Sequence, residues 1–388
     1  MKRIKIIPLI LTISLLISIS CSEEWLKPDP LSFFAPENVF VDEIGFNAGL
    51  VVCRKQMNND RCGHMNFIAG SHAYSDLACS RYSSDFNILT PSDGGKVGIV
   101  GKLADGYEYI KNTNTIISRI DDIEWTDQSV RNQILSEALW FRAYWYYRLV
   151  NTYGDIPWVG EELRGAKLDY FSTSRWAILA QLQKDLEFAL EWLPATSAKP
   201  GSVTEGAVNH LLTKIYLANA EFDKAIMAAT AVINGPYALM TQRFGIDADK
   251  TYHDLMWDLH RVENVNDPSN TETIYSSINP PDAPAEAWSA ATYTLRNYAP
   301  GYWGIPDLTG QRATNWNTAA GDSLGLGAGF IRPTPYYRYG IWEDAIFTWE
   351  TTPDMRRADS NWIEMGDSIS EITVAREGSP QFGQPLRK

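Results

Sequence analysis

Apolar residues in the central part of the chain recur every three to four positions, the period of helices with one face turned inward. Over residues 97–120, Leu103, Tyr107, Ile110, Asn114, Ile117 and Ile120 share such a face and predict a helix. A second is predicted after Asp127, whose short acceptor side chain suits an N-cap. Its stripe is Val130, Ile134, Ala138, Phe141, Trp145 and Leu149, and Gly154 and Pro157 end it. Three more helices are predicted over 174–193, stopped by Pro194, over 203–218, and over 222–233, closed by Asn234-Gly235-Pro236-Tyr237. Upstream, 27–40 is punctuated by Pro and reads as an extended arm, 40–60 reads as a helix, and Ser92-Asp93-Gly94-Gly95 breaks the chain.

The last two predicted helices score against a repeat. Leu212, Thr213 and Tyr216 in one, Ala225, Ala229 and Val232 in the next, and Pro236 beyond fit the tetratricopeptide pattern. Thr213, Ala225 and Ala229 are small enough for two helices to approach, and the earlier helices read as degenerate copies. Such a unit needs stacked neighbours to bury its apolar faces. From Tyr237 on, periodicity fades except in the stretch 253–262, and 7 of the 14 Trp fall there. Long loops carrying short elements are predicted, packed on the helices, and loops of that length are usually functional.

The N-terminus has a basic start at Lys2, Arg3 and Lys5, an apolar run from Ile4 to Ile19, and small residues before Cys21. This reads as a secretory signal, too short for a good membrane span. Ser18-Ile19-Ser20-Cys21 resembles a bacterial lipobox in which Cys21 is lipidated, with Ser18 a departure from the usual aliphatic residue; the alternative is an ordinary cleaved signal. The organisation read from the chain is a signal at 1–20, an anchored arm and helix at 21–96, a helical scaffold at 97–236 and a loop-rich aromatic region at 237–388.

The chain of 388 residues is 45% hydrophobic and 21% charged, ordinary for a folded protein. Its net charge of −13 repels phosphate backbones and disfavours nucleic acid as a partner. Contact with an anionic bilayer then needs the lipid anchor. Cys53, Cys62 and Cys79 with His64 and His72 raise a zinc hypothesis. The ligand pairs lack Cys-x2-Cys spacing, so buried thiols or one disulfide are the favoured reading and no metal is assigned.

No catalytic motif stands up. Neither G-x-S-x-G nor H-E-x-x-H occurs. The glycine spacing of 94–102 is wrong for a phosphate loop, and Leu103 replaces the Ser or Thr that would hold a metal. His253, Asp254, Asp258 and His260 read as a solvated helix face. The 47 acidic residues do not single out a glycosidase pair, and no cofactor is implied. What the sequence does offer, with 14 Trp and 19 Tyr, is aromatic surface with polar company. Trp288, Tyr293, Arg296, Asn297, Tyr302 and Trp303, with Asn315 and Trp316, suit an oligosaccharide. Rings stack on the C–H face of a sugar, and Asn and Arg reach its hydroxyls.

The stretch 136–157 carries a resemblance. Glu137-Ala138, Arg142-Ala143, Tyr147, Leu149-Val150 and Tyr153-Gly154-Asp155-Ile156-Pro157 resemble the signature of the SusD/RagB family. Residues 21–30, the helix pair after Asn209, and the stretch from Phe330 to Asp354 and Arg356 resemble other family segments. The resemblance implies a mostly α fold, with tetratricopeptide-like repeats and a loop-rich aromatic region packed on them. It also implies that the signature helix is scaffold, with Arg142 bonded to a carboxylate or to helix carbonyls. The function it implies is non-catalytic capture of oligosaccharide, or in some members peptide, at the outer face of an outer membrane. The captured ligand is passed to a TonB-dependent, SusC-like transporter. Members usually continue into further helices, so this chain is expected to be C-terminally short. A peptide- or protein-binding repeat module and, less favoured, a surface glycoside hydrolase stay open as alternatives.

Overall fold

Residues 35–62, 72, 75–80, 102–197, 199–251, 253–277, 297–299 and 327–358 are described by the computed structural model of the chain. Helices α1 (Pro36–Val39), α2 (Glu43–Cys62), α3 (Lys102–Arg119), α4 (Gln128–Tyr153), α5 (Arg175–Leu190), α6 (Glu205–Ala218) and α7 (Phe222–Ile233) form the scaffold. Each helix from α3 to α7 packs on the next, and α2 lies against α3 and α4. The arm predicted as extended gains a helical turn at α1. Pro36 supplies a preset φ at its start, and Asn38 Oδ1 accepts from Ala35 N at 2.8 Å.

Helix α4 departs most from the pattern. Its start is as predicted, with the Asp127 side chain accepting from Ser129 N. Its one-sided stripe is not, because every residue from Ser136 to Ala143 is buried. Helices α2, α3, α5 and α6 all contact it, so it needs apolar or paired side chains all round. Phe141 and Tyr146 are among its fully buried rings, each worth about 1.5–3 kcal/mol of transfer energy.

Three ion pairs fix α4 in place. Glu137 meets Arg54 of α2 at 2.6 Å, Arg142 meets Asp185 of α5 at 2.6 Å, and Arg148 meets Asp60 of α2 at 2.7 Å. Arg142 also donates to Gly160 O at 3.1 Å and to Asn114 Oδ1 at 3.3 Å. Burial pushes the Glu137 carboxyl above the ordinary range, against the pull of Arg54.

The end of the signature has a job at each residue. Gly154 ends α4 at φ +76°, a left-handed conformation that favours glycine, and its N–H reaches Val150 O. Asp155 Oδ1 accepts from Arg175 N at 2.8 Å, across to the first residue of α5. Ile156 enters the core, and Pro157 O accepts from the Tyr107 hydroxyl at 2.6 Å. Strand β2 (Ile156–Pro157) pairs antiparallel with β3 (Ser172–Thr173), Ile156 opposite Thr173, and closes the intervening loop.

The repeat-like pair α6 and α7 meets through small residues, with Ala225 and Ala228 buried. The Tyr216 hydroxyl reaches Glu187 of α5 at 2.9 Å. Ala229 and Val232, matched to the repeat pattern, are half-buried, and α7 exposes Phe222, Ile226, Met227 and Ile233. Helix α5 stops short of residue 193, its last turn tightening where Trp192 N bonds Ala189 O.

Beyond residue 237 the described elements are short, as predicted: α8 (Leu255–His260), β4 (Ile331–Pro333), α9 (Pro335–Arg338) and three-residue 3₁₀ turns. Asp254 caps α8 by accepting from Trp257 N. Asp258, read as solvated, is fully buried instead. Arg243 grips it at 3.0 Å through Nη2 and also donates to the carbonyls of Lys250 and Asp247, so the loop is stitched by one guanidinium. Short β1 (Ala78–Ser80) pairs antiparallel with β4, Cys79 opposite Arg332.

Candidate functional site

The predicted scaffold residues Glu137, Arg142, Tyr147, Gly154, Asp155 and Pro157 come together around α4. Tyr147 is half-buried on its surface. Asp185, Gly160 O and Asn114 orient and hold Arg142. Of the predicted ligand residues, Trp288, Tyr293, Arg296, Tyr302, Trp303, Asn315 and Trp316 lie outside the described residues, as does Cys21. Asn297 is described and is fully buried.

Its neighbour Tyr298 lines a cleft of about 550 Å³ beside the β1–β4 pair, together with His72, His260, Arg332 and Tyr337. Local chemistry builds this cleft. Thr334 donates from its N–H to Leu77 O at 3.0 Å and from its hydroxyl to Asp76 O at 2.6 Å, extending the pairing. The same hydroxyl oxygen accepts from Tyr337 N at 3.3 Å and starts α9. Gly329 N bonds Ala299 O at 3.0 Å, tying residues 297–299 to the strand. Tyr298 and His72 share a hydrogen bond at 2.9 Å between the phenol oxygen and Nδ1. Burial raises the Tyr298 hydroxyl above its ordinary range, so it remains a neutral hydrogen-bonding group. Tyr337 packs edge-on against Trp342 at 5.6 Å between centroids. Asp354 and Arg356, the Asp-x-Arg of the family-like stretch, form a local cap and ion pair with Arg356 over Trp342. Two rings with polar edges and several donors can hold a hydroxylated ring by stacking and hydrogen bonds.

A second cleft of about 540 Å³ runs between α4, α6 and residues 272–275. Trp140, Tyr144 and Tyr147 supply one wall and Tyr275 another, with His210 and Lys214 at its polar side. Trp140 is anchored by its indole N–H to Ala207 O at 3.1 Å and stacks on Tyr144. The i, i+4, i+7 spacing of the three rings was a signal for this cleft.

Sequence reasoning did not single out Arg332, Tyr337 or His260 as ligand-facing. They meet through strand pairing between segments far apart in the chain, which no local period reveals. Cys53 is buried with a free thiol that burial pushes up to about 12, and Cys79 is exposed and free. The disulfide therefore does not join these two; the Cys62 side chain lies outside the described set. Among the described residues no group of three or more His, Cys, Asp or Glu is placed to hold a metal.

The architecture defines a class, a mostly helical repeat scaffold with ligand-sized clefts between its helices and its loop region. A family model described as SusD-like, "Starch-binding associating with outer membrane", matches residues 65–217. SusD-like protein P2 of Formosa agariphila is 25% identical over 352 residues, covering 84% of this chain and 66% of that protein. The crystal structure of a SusD-like protein from Bacteroides fragilis superposes with a TM-score of 0.57 at 18% identity, covering 79% of this chain and 54% of that one. A laminarin-binding SusD-like protein superposes with a TM-score of 0.52 at 20% identity, covering 76% and 62%. The chain thus spans between about half and two-thirds of the length of these relatives. Over residues 65–217 the chain is similar to the SusD-like family model, and the relatives named here are SusD-like proteins.

Proposed function

We propose that the protein captures oligosaccharide at the exterior of an outer membrane without chemical turnover and passes it to a TonB-dependent, SusC-like transporter. Cys21 is the lipid attachment point in this reading. The family model's description, starch-binding and associated with the outer membrane, supports it. The observation that carries it is the β1–β4 cleft, where Tyr298 and Tyr337 line one space with several donors. This cleft adjoins Asn297, within the aromatic stretch that the sequence assigned to a sugar. Trp288, Trp303 and Trp316 extend the surface in this proposal, and the region 237–388 carries the ligand.

Isothermal titration against an oligosaccharide panel tests it. Tyr298→Ala and Tyr337→Ala, and separately Trp288→Ala, Trp303→Ala and Trp316→Ala, should weaken the responsive sugar at least tenfold. A ring face covered by a sugar removes apolar surface from water at about 25 cal/mol per Å². If all five variants bind like the parent, the site is wrong. The α4–α6 cleft favours a second reading, a groove for a peptide. Binding that is lost on Tyr144→Ala and unaffected by the five changes above would select it.

A further inference from the structure

The described lining of the β1–β4 cleft holds Arg332, His72 and His260 and no carboxylate. This is a biased composition in a chain of net charge −13, with 47 acidic residues against 34 Lys and Arg. The acidic residues next to the contributing segments do not line it. Asp258, near His260, is held by Arg243, and Asp76 precedes Leu77 outside the lining. From α9, Arg338 adds a further cation nearby, over the Tyr339 ring.

The cationic groups are positioned. Pairing with β1 fixes the backbone of Arg332, and its Nε donates to Gly329 O at 3.2 Å, which sets the guanidinium plane. Among the described residues its Nη groups meet no acceptor at hydrogen-bond distance, so they remain available to a ligand. Both imidazoles are tethered through Nδ1, His72 to the Tyr298 hydroxyl at 2.9 Å and His260 to Met256 O at 2.7 Å, leaving Nε2 for a ligand. A guanidinium matches the two oxygens of a planar carboxylate or two oxygens of a sulfate ester. A neutral sugar offers these donors only hydroxyl acceptors, which bond a guanidinium less strongly than a carboxylate or sulfate does.

We propose that the β1–β4 cleft selects an acidic oligosaccharide, its carboxylate or sulfate held by Arg332 between His72 and His260 and its ring lying on Tyr298 and Tyr337. The inference rests on the glycan-binding reading and narrows it to a substrate class. The summed charge of the whole chain opposes an anionic ligand at long range, and salt screens that repulsion within about 8 Å at physiological strength. The local donors must therefore supply the preference.

The test is an oligosaccharide array in matched pairs, followed by titration of the strongest pair with the full chain. Each uronate oligosaccharide is paired with its carboxyl-reduced form, and each sulfated one with its desulfated form. The two sets separate the two sources of negative charge. The expected result is that the strongest ligand is anionic and exceeds its neutral partner about tenfold, the scale of one charge-assisted hydrogen bond. Arg332→Gln should remove most of that ratio, weakening the anionic sugar far more than its neutral partner in a protein that still unfolds cooperatively. His72→Gln with His260→Gln should lower the ratio further. Equal binding of paired sugars, or a neutral sugar as the strongest ligand, would overturn the inference while leaving glycan capture standing. An array with no responsive sugar would overturn both. An anionic preference untouched by Arg332→Gln would remove the preference from this cleft.

Discussion

Arg142→Met tests the reading of the signature as scaffold. The guanidinium is 5% exposed and holds Asp185, itself 7% exposed, at 2.6 Å. Removing it leaves a buried carboxylate with Gln181 Nε2 as a remaining donor, at 2.8 Å. Breaking one partner of a buried pair costs about 3–5 kcal/mol, because the orphaned charge has no water. Gly160 O loses a donor as well, for about 1 kcal/mol. The variant should therefore lose roughly 4 kcal/mol in urea unfolding followed by both circular dichroism and Trp fluorescence. Arg142→Met with Asp185→Leu should regain most of it, since an apolar pair of similar volume is often neutral or better. Sugar affinity of the folded single variant should match the parent. A loss under about 1 kcal/mol, or a double variant no better than the single, would refute the pairing argument. Folded Arg142→Met protein with abolished sugar binding would show that this helix belongs to the site.

Other outcomes follow from the same contacts. Gly154→Ala should cost about 1 kcal/mol through its φ of +76° alone, because an added Cβ meets nothing within 4 Å; urea titration reads it. Burial works against ionisation of Asp258, but Arg243 and Phe244 N–H outweigh it and hold its carboxyl below 3.8; Asp354 is held low chiefly by its hydrogen bond to Arg356. With native values below unfolded ones, this stabilisation is complete above 3.8 and fades as pH falls through the native values, whereas Glu137, raised by burial, slopes the opposite way. Asp258→Asn should flatten the acid limb of a melting-temperature profile, and an unchanged limb would contradict the assignment. Thiol labelling followed by peptide mass spectrometry should mark Cys79 in the native protein and Cys53 only after unfolding.

The scaffold was legible because its helices obey local rules. Asp127 capped α4 where a short acceptor preceded an apolar stripe, and Phe222–Ile233 coincided with its predicted bounds. The complete burial of α4 was not, since Glu137, Arg142 and Arg148 look like surface residues until Arg54, Asp185 and Asp60 neutralise them across helix interfaces. Asp258 misled for the same reason, its partner Arg243 lying outside α8. Of the aromatic stretch that the sequence singled out, Asn297–Tyr298 lie among the described residues and the other ligand candidates lie outside them. Arg332 and Tyr337 escaped because they reach His72 only through the β1–β4 pairing.

The most direct test of the central claim combines binding and chemistry on one sample. The lipid-free chain is titrated with the strongest oligosaccharide from the array, and the same mixture is followed for hours by chromatography. The account predicts saturable binding that falls at least tenfold in the Tyr298→Ala, Tyr337→Ala double variant, with the sugar recovered intact. Cleaved sugar, or undiminished binding by the double variant, would contradict it.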